Sequence, residues 1–241
     1  MKTWVVGDVH GCSEELTELV KQVEHASRDE KMRFVFLGDL IHKGPNSKGV
    51  IETVRLLLKD HPGSVCVAGN HCEIELRKPT ENLSAEQTDW IRSLPLLHQF
   101  EVDGRPHIAI HGGIAPSFIR NHPEGIGEIP TAWHKGGGKK MDRLRRFLRT
   151  RYVNPEGEMV PLGQEKPEDE FWADVYQGEY GTALFGHDPS GGTIRFFPNA
   201  IGLDTGCVFG GNLTAYCLED GVIIQVAAFQ KYAENLYKQG E

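Results

Sequence analysis

Six residues with metal-binding side chains stand directly beside glycines in this sequence. They are two aspartates, three histidines and one asparagine, namely Asp8, His10, Asp39, Asn70, His111 and His187. Carboxylate oxygens, imidazole nitrogens and an amide oxygen form a mixed set that suits Mn²⁺, Fe or Zn²⁺, whereas Ca²⁺ and Mg²⁺ prefer oxygen ligands alone. The set contains no thiolate, which argues against a closed structural zinc site. These residue types therefore indicate a catalytic site for transition-metal ions.

Short apolar stretches typical of buried β-strands precede these residues. Three of the stretches lie in the first third of the chain: Thr3 to Val6, Phe34 to Leu37 and Val65 to Ala68. Apolar residues at helical spacing follow the first two strands, and we expect a helix after the third as well. This βαβαβα pattern predicts parallel strands, and ligands of such sheets bind at the carboxyl ends of the strands. We therefore expect the metal-binding residues to converge on one crevice.

Each motif taken alone has an ordinary structural explanation. A single Asp-x-His or strand-end Asn-His is more often a turn residue or a helix cap than a set of ligands. Coincidental caps explain five such loops poorly, because each loop comes directly after an apolar strand. The joint pattern favours a metal site over a series of unrelated turns.

Cap and turn signals indicate the remaining organisation. An N-cap signal at Ser13 precedes the first helix, and the capping box Ser84 to Gln87 opens a later helix that ends at Leu94. The second half of the chain is mainly β and has two hairpin signals, at Asp103-Gly104 and Asp220-Gly221. We interpret the irregular pattern at about residues 114–180 as a lid-like insertion into a single domain that spans residues 1–241.

Composition limits the kind of protein. The net charge of −8 makes general affinity for nucleic acid or anionic membranes unexpected. The longest apolar runs are far shorter than the roughly 20 residues that span a bilayer, and the N-terminus lacks the pattern of a secretory signal. Five cysteines without C-x-x-C spacing indicate reduced thiols. We expect a cytoplasmic monomer that binds neither membranes nor specific nucleic-acid sequences.

The combined motifs resemble those of the calcineurin-like metallophosphoesterases, specifically the phosphoprotein-phosphatase superfamily. In chain order they are GDVHG, GDLIHKGPNS, GNHCE, HGG and GHD. Within the superfamily, GDLIHKGPNS, WIRSLPL, RTRYV and GLDTGCVFGGNLTA are similar to the ApaH-like phosphatases, which are relatives of the bacterial symmetrical diadenosine tetraphosphatase. The resemblance extends from residue 3 to about residue 225.

This resemblance implies an α/β fold, an αββα four-layer sandwich of two mixed β-sheets with the metals at one edge. The implied ligands are Asp8 and His10 for a first ion, Asp39 as the bridge, and Asn70, His111 and His187 for a second ion. Two divalent ions are implied, most typically Mn²⁺, with Fe, Zn²⁺ or Co²⁺ as alternatives. A hydroxide held between them would attack phosphorus in line, and His71 would protonate the leaving oxygen.

The sequence departs from the usual motifs of the superfamily in two places. His42 and Lys43 stand where phosphoprotein phosphatases usually carry Asp-Arg, and Cys72 stands in place of the usual glutamate. The missing aspartate would have oriented His71, so either another group orients it or the acid is weaker. Lys43 keeps the positive charge beside the reacting phosphate but loses the bidentate fork of arginine. The ApaH-like group tolerates lysine at this position.

Three further residues are candidates for the site. Arg149 and Arg151 belong to the RTRYV motif, and their guanidinium groups are expected to clamp phosphate oxygens. Asp204 lies in an apolar strand, where an unpaired carboxylate would be costly. Its role as a partner of a metal-binding histidine and its role as a turn cap both stay open.

Two classes of hydrolase fit these residues. The first cleaves phosphoanhydrides in dinucleoside polyphosphates or in nucleotide-capped RNA ends. The second is a serine/threonine phosphatase acting on phosphoproteins, or an endopolyphosphatase, and the same metal site would serve both classes. A catalytically silent binding module is disfavoured because none of the six ligands is missing. We expect the first class.

Overall fold

The structure is a computed structural model that describes residues 1–28, 30–127, 133–135 and 138–234. Within these residues the α-helices are α1 (Ser13–Ala26), α2 (Ser47–Asp60), α3 (Asn70–Arg77), α4 (Ala85–Ser93), α5 (Pro116–Asn121), α6 (Lys139–Arg145) and α7 (Trp172–Val175). The strands are β1 (Lys2–Val6), β2 (Met32–Phe36), β3 (Val65–Cys66), β4 (Leu97–Val102), β5 (Arg105–Ile110), β6 (Tyr152–Val153), β7 (Met159–Val160), β8 (Glu170–Phe171), β9 (Thr182–Phe185), β10 (Arg195–Phe196), β11 (Ala200–Gly202), β12 (Asn212–Cys217) and β13 (Ile223–Ala227).

The first half of the chain folds as its alternating pattern predicts. β1, β2 and β3 are parallel neighbours, with Val6 opposite Phe36. α1 and α2 contact each other and pack on strands of this sheet. The third strand is shorter than predicted and ends at Cys66. The N–H of Val67 still donates to the carbonyl oxygen of Phe36 in β2, whereas the N–H of Ala68 faces away from β2 and donates to the carbonyl oxygen of Pro95.

Two helix starts show how far local signals determine the boundaries. At α4 the capping box is confirmed, since Ser84 and Gln87 exchange hydrogen bonds between each side chain and the other's backbone N–H. The predicted cap at Ser13 is wrong. Ser13 is already helical, and Cys12 holds the cap position without a side-chain hydrogen bond. The turn at Gly11, where φ is +74°, brings the chain into α1 one residue early.

The second sheet is built from later strands. Its order is β10-β11-β9-β5-β4, and the order of the first sheet is β13-β12-β1-β2-β3. β4 and β5 form the predicted hairpin at Asp103 and Gly104, where φ is +49° and +73°. The other predicted hairpin, at Asp220 and Gly221, joins β12 to β13 and extends the first sheet. The first sheet is mixed because β1 pairs parallel to β2 and antiparallel to β12, and the second because β5 pairs parallel to β9 and antiparallel to β4.

Apolar side chains from the two sheets meet between them. Val5 and Val35 of the first sheet form a buried cluster with Ala109 and Leu184 of the second. Neighbouring residues along the same strands, such as Trp4, point to the opposite face and pack with the helices. This layering confirms the predicted αββα sandwich.

The segment predicted as an irregular insertion contains regular elements in its described part. α5, α6, α7 and the small sheet β7-β6-β8 all lie between residues 114 and 180. Trp172 of α7 packs edge-on against Phe185 of β9, with ring centroids 5.0 Å apart. Residues 128–132 and 136–137 of this segment lie outside the described residues. No helix in the described part of the chain is long and apolar enough to cross a membrane.

Candidate metal centre

Five strand ends bring the predicted ligands to one side of the two sheets. Asp8 follows β1, Asp39 follows β2, and Asn70 begins α3 shortly after β3. From the second sheet, His111 follows β5 and His187 follows β9, and these two strands are parallel neighbours. β1, β2 and β3 are also parallel, so the carboxyl ends within each sheet lie at one edge. The two edges meet at one pocket, which Asp39 and Asn70 line from the first sheet and His187 from the second.

Asp39 lies at the centre of the cluster. Its Oδ2 atom is 3.5 Å from Nε2 of His10, 3.9 Å from Nε2 of His71 and 3.3 Å from Nε2 of His111. Two groups of possible metal ligands contain Asp39, one with His10 and His71 and the other with His111 and His187. In each group the ligand atoms lie within 4.8 Å of one another. One carboxylate shared by two groups is the arrangement that a bridging ligand needs.

Hydrogen bonds orient two of the histidines. Nδ1 of His10 is 3.1 Å from the carbonyl oxygen of Ile41, and Nδ1 of His111 is 2.8 Å from that of Leu37. A carbonyl oxygen only accepts, so each Nδ1 carries a hydrogen and each Nε2 is left to face Asp39. Backbone carbonyls commonly fix metal-binding histidines in this way.

The donor set fits divalent metal ions. Nε2 of His111 faces Oδ1 of Asn70 at 3.0 Å as well as the carboxylate of Asp39. A nitrogen that faces two acceptor oxygens needs a proton or a metal ion between itself and them. Nε2 of His187 is buried without a hydrogen-bond partner. Asp8 completes the set, because its Oδ2 lies 3.9 Å from Nε2 of His10.

Burial controls protonation in the cluster. It lowers the pKa of His10 and His187 well below the ordinary histidine value, so both imidazoles are neutral and can donate lone pairs. Burial alone would raise the pKa of Asp39, but the imidazole of His111 helps to hold that pKa well below its usual range. The pKa of Asp8 is raised because it is buried beside other carboxylates. The raised pKa of Asp8 indicates that the cluster favours additional positive charge, which metal ions would supply.

The loops that present these side chains have an unusual backbone. Five site residues have φ in the left-handed region, which non-glycine residues rarely adopt: His10, Asp39, His42, Lys43 and His187. Two glycines allow the closest approaches between loops. A Cβ atom at Gly69 would lie 2.0 Å from Oδ1 of Asp39, and one at Gly186 would lie 2.0 Å from Oδ1 of Asp8. These glycines make room for the carboxylates of the cluster.

His71 lies beside the cluster, next to a residue to which the sequence analysis assigned no role. Its Nδ1 is 2.8 Å from Nδ1 of His42, and Nε2 of His42 is 2.9 Å from Oε2 of Glu75. Burial lowers the pKa of His71 to about 4. By distance alone Nε2 of His71 could also bind a metal ion, so its role as a proton donor is a proposal. The spacing of His71 and Glu75, one helical turn apart, is the sequence signal that indicates a shared face.

Lys43 and Arg151 line the pocket that contains the cluster. The ammonium group of Lys43 is 3.1 Å from Nε2 of His10. The Nε atom of Arg151 is 3.1 Å from Oδ1 of Asp188, and its Nη2 donates to the carbonyl oxygen of His187 at 2.8 Å. Arg151 is buried, and these contacts support the loop that presents His187.

Arg149 contacts α3. Its guanidinium group is ion-paired with Glu73, and its side chain is 36% exposed. Glu73 also pairs with Arg77 and Arg145. A phosphate that Arg149 clamped would therefore compete with Glu73 for the guanidinium group.

Asp204 is buried in the pocket lining, where it closes a turn. Its Oδ1 accepts a hydrogen bond from the N–H of Gly206 at 3.0 Å. Among the hydrogen bonds of the described residues, its side chain makes none to a histidine, so the structure favours the turn cap over the histidine partner. Burial raises the pKa of Asp204 to about 6.

Comparison with known proteins relates this geometry to phosphate chemistry. The model of the calcineurin-like phosphoesterase family matches residues 1–227. A symmetrical bis(5′-nucleosyl)-tetraphosphatase of Bordetella pertussis is 29% identical, and the alignment covers 92% of this chain and 94% of the relative. An asymmetrical bis(5′-nucleosyl)-tetraphosphatase of Oceanobacillus iheyensis is 32% identical, with coverage of 96% and 94%.

A solved structure shares the fold. It is provisionally described as a diadenosine tetraphosphatase and superposes with a TM-score of 0.68 at 24% identity. The superposition covers 95% of this chain and 94% of the other. The two mixed sheets and the strand ends that present the cluster are therefore those of a known architecture.

Proposed function

We propose that this metallophosphoesterase, which belongs to the calcineurin-like phosphoesterase family, hydrolyses phosphoanhydride bonds of dinucleoside polyphosphates or nucleotide-capped RNA. The observation that carries the proposal is the carboxylate of Asp39, which lies between His10 on one side and His111 and His187 on the other, at the carboxyl ends of the strands. Such a cluster suits phosphate esters and anhydrides alike. The two relatives are named for bis(5′-nucleosyl) tetraphosphates, which favours an anhydride.

The number of candidate ligands supports a site for two divalent ions. We infer the following assignment: Asp8 and His10 would hold one ion, Asn70, His111 and His187 would hold the other, and Asp39 would serve both. When bound, such ions neutralise phosphate charge and supply a hydroxide nucleophile at neutral pH. Mn²⁺ suits this mixed oxygen and nitrogen set, as do Fe, Zn²⁺ and Co²⁺.

The side chains of the protein itself act on the phosphate and on the leaving group. His71, protonated at Nε2, gives this proton to the leaving oxygen as the bond from phosphorus to that oxygen breaks. Lys43, beside His10, contacts the oxygens of the reacting phosphoryl group. Arg149, by exchanging Glu73 for phosphate, binds oxygens further along a polyphosphate chain.

A panel of substrates tests this proposal. The Mn²⁺-loaded enzyme receives diadenosine tetraphosphate, nucleotide-capped RNA, polyphosphate, a phosphoserine peptide and p-nitrophenyl phosphate in separate assays. We expect kcat/KM for diadenosine tetraphosphate or capped RNA to exceed that for the phosphopeptide by about 10-fold or more, which corresponds to about 1.4 kcal/mol in the transition state. The Asp39→Asn variant, purified in parallel, measures contaminating activity.

The products refine the result. Symmetrical hydrolysis of diadenosine tetraphosphate gives two molecules of ADP, and asymmetrical hydrolysis gives ATP and AMP. Since the relatives include both kinds, chromatography of the products assigns the bond that is cleaved. A preference for the phosphopeptide would overturn the proposal in favour of a serine/threonine phosphatase, and a preference for polyphosphate in favour of an endopolyphosphatase.

A further inference from the structure

We propose that His42 and Glu75 together position His71, in place of the aspartate that phosphoprotein phosphatases usually carry at residue 42. A chain of hydrogen bonds connects the buried carboxylate of Glu75 through the ring of His42 to the ring of His71. The inference rests on the proposed function, because it assumes that His71 protonates a leaving oxygen. It does not depend on which phosphate compound is the natural substrate.

The hydrogen-bonded chain is continuous. Oε2 of Glu75 is 2.9 Å from Nε2 of His42, and Nδ1 of His42 is 2.8 Å from Nδ1 of His71. The remaining ring nitrogen of His71, Nε2, faces the cluster and lies 3.9 Å from Oδ2 of Asp39. In each of the two rings, one nitrogen is therefore on the side of Glu75 and the other is on the side of the metal-binding cluster.

This chain determines where the hydrogens lie. A carboxylate only accepts, so Nε2 of His42 carries a hydrogen and, in the neutral ring, its Nδ1 has a lone pair. The hydrogen between the two Nδ1 atoms then belongs to His71. Nε2 of His71 is thereby left to take up a second proton, and the imidazolium so formed gives that proton to the leaving oxygen and returns to the neutral ring. A carboxylate at residue 42 would select the same tautomer of His71, so His42 with Glu75 acts as its substitute.

Glu75 is held in place by its own contacts. It is buried, and it also accepts hydrogen bonds from the N–H of Thr80 at 2.9 Å, the hydroxyl of Thr80 at 3.1 Å and the N–H of Glu81 at 3.1 Å. Burial alone would raise the pKa of Glu75, but the hydrogen bond from His42 and those from the loop lower it. The loop after α3 therefore fixes an ionised acceptor behind His42.

The arrangement of the backbone agrees with this role. His71 and Glu75 lie one turn apart in α3, so both side chains are on the same face of the helix. The ring of His42 meets that of His71 edge-on, with centroids 5.0 Å apart. His42 has a φ of +72°, which a histidine adopts only where surrounding contacts hold it.

The first test uses the metal-free protein without substrate. Correlation spectra of ¹⁵N-labelled imidazoles at pH 7.5 report which ring nitrogen carries hydrogen. We expect hydrogen on Nδ1 of His71 and on Nε2 of His42. Glu75→Gln should disturb this pattern in both rings, because a glutamine amide can donate to Nε2 of His42. A wild-type spectrum with hydrogen on Nδ1 of His42 would overturn the proposal.

Glu81→Gln is the matched control for this substitution. It also removes one carboxylate, and Oε1 of Glu81 lies 3.9 Å from Nε2 of His42, beyond hydrogen-bond distance. Both rings should keep the wild-type pattern in this variant. A change as large as that in Glu75→Gln would overturn the proposal, since the charge near the ring and not the hydrogen bond would then be responsible.

The second test is kinetic and compares phenyl phosphate, which has a poor leaving group, with p-nitrophenyl phosphate, which has a good one. His71→Asn defines the full loss on phenyl phosphate, about 10²- to 10⁴-fold in kcat. We expect Glu75→Gln and His42→Ala to lower kcat on phenyl phosphate by about 10- to 100-fold, with unchanged KM and metal content. The loss on p-nitrophenyl phosphate should be much smaller. Equal losses on both esters would overturn the positioning role.

A rescue variant separates positioning from stability. In His42→Asp, an aspartate Oδ atom replaces Nδ1 at the same branch position and can accept directly from His71. This variant should keep activity on phenyl phosphate, and Glu75→Gln should have no further effect in that background. The same loss from Glu75→Gln in both backgrounds would overturn the proposal. An enzyme that hydrolyses both aryl esters but neither diadenosine tetraphosphate nor capped RNA would instead overturn the proposed function alone.

Discussion

Asp39 dominates the electrostatics of the site. Its Oδ2 faces the Nε2 atoms of His10 and His111 at 3.5 and 3.3 Å, and the carboxylate of Asp8 lies 3.9 Å from Nε2 of His10. The negative charge of Asp39 also contributes to the raised pKa of Asp8, so the two buried carboxylates repel each other. Divalent ions would remove this repulsion.

We expect Asp39→Asn to lose metal ions but to keep its fold. The amide of asparagine can donate hydrogens to the lone pairs of His10 and His111, which satisfies the metal-free cluster. A neutral amide cannot supply the negative charge of the bridge. Metal analysis after dialysis should therefore find one ion or none, and hydrolysis of p-nitrophenyl phosphate should be abolished.

Asp220→Asn is the matched control for this prediction. Asp220 pairs with Lys2 at the end of β1 opposite to Asp8, so its removal should change neither metal content nor activity. Circular dichroism should show that both variants fold. Two full equivalents of metal and near-normal activity in Asp39→Asn would contradict the bridging role.

Single residues differ in how well the sequence reveals them. The convergence of Asp8, Asp39 and His111 could be predicted because each follows an apolar strand, and parallel strands end at one edge. The contact between His42 and Glu75 could not, because it depends on how α3 is rotated against the loop after β2. Packing determines that rotation, and no pattern within either segment records it.

At the scale of elements, the segment after α6 connects two parts of the site. It places Arg149 against Glu73 of α3, and Arg151 against the loop that carries His187. The RTRYV motif indicates that these arginines lie near the site, and the structure adds that each has a protein partner. The two arginines therefore have different expected roles. Arg149 is partly exposed and can exchange its partner, whereas Arg151 supports the backbone of a ligand loop.

We expect Arg149→Ala to act selectively on long substrates. A charge-assisted contact contributes about 1.5–3 kcal/mol, so kcat/KM for diadenosine tetraphosphate should fall by about 10- to 150-fold, and that for p-nitrophenyl phosphate should change little. Arg151→Ala should lower both, together with metal content, because the loop of His187 loses its support. Steady-state kinetics on both substrates measures the difference.

Arg146→Ala is the control for these two variants. Arg146 lies in the same segment but pairs with Glu158 on the surface, so its removal should leave both substrates unaffected. Equal losses on both substrates in Arg149→Ala would place this guanidinium group at the reacting phosphate. A preference of the enzyme for diadenosine tetraphosphate over p-nitrophenyl phosphate would then have to come from residues other than Arg149.

At the scale of the whole molecule, the site joins the two sheets. The first sheet contributes Asp8, Asp39 and, through α3, Asn70, and the second contributes His111 and His187. In the sequence the ligand motifs of the βαβαβα half and of the mainly β half are separate, and the structure places the two sets on different sheets. Between the sheets the protein is held by apolar residues, and at this edge the left-handed backbone and the repulsion between buried carboxylates oppose folding. Metal ions that bind only the folded chain would offset these costs.

Removal of metal should therefore lower the melting temperature. At a free metal concentration 100 times the dissociation constant, binding to the native state adds about 2.7 kcal/mol to the free energy of unfolding. For a chain of this size, about 1 kcal/mol shifts Tm by about 2–4 °C, so chelation should lower Tm by about 5–11 °C. Scanning calorimetry of the wild type in Mn²⁺ and after chelation measures this shift.

The melting temperature of Asp39→Asn should depend little on Mn²⁺, whereas that of Asp220→Asn should show the full shift. Mg²⁺ should stabilise the wild type less than Mn²⁺, because half of the ligands are imidazoles. Equal melting temperatures with and without Mn²⁺ in the wild type would contradict a metal site that ties the two sheets together.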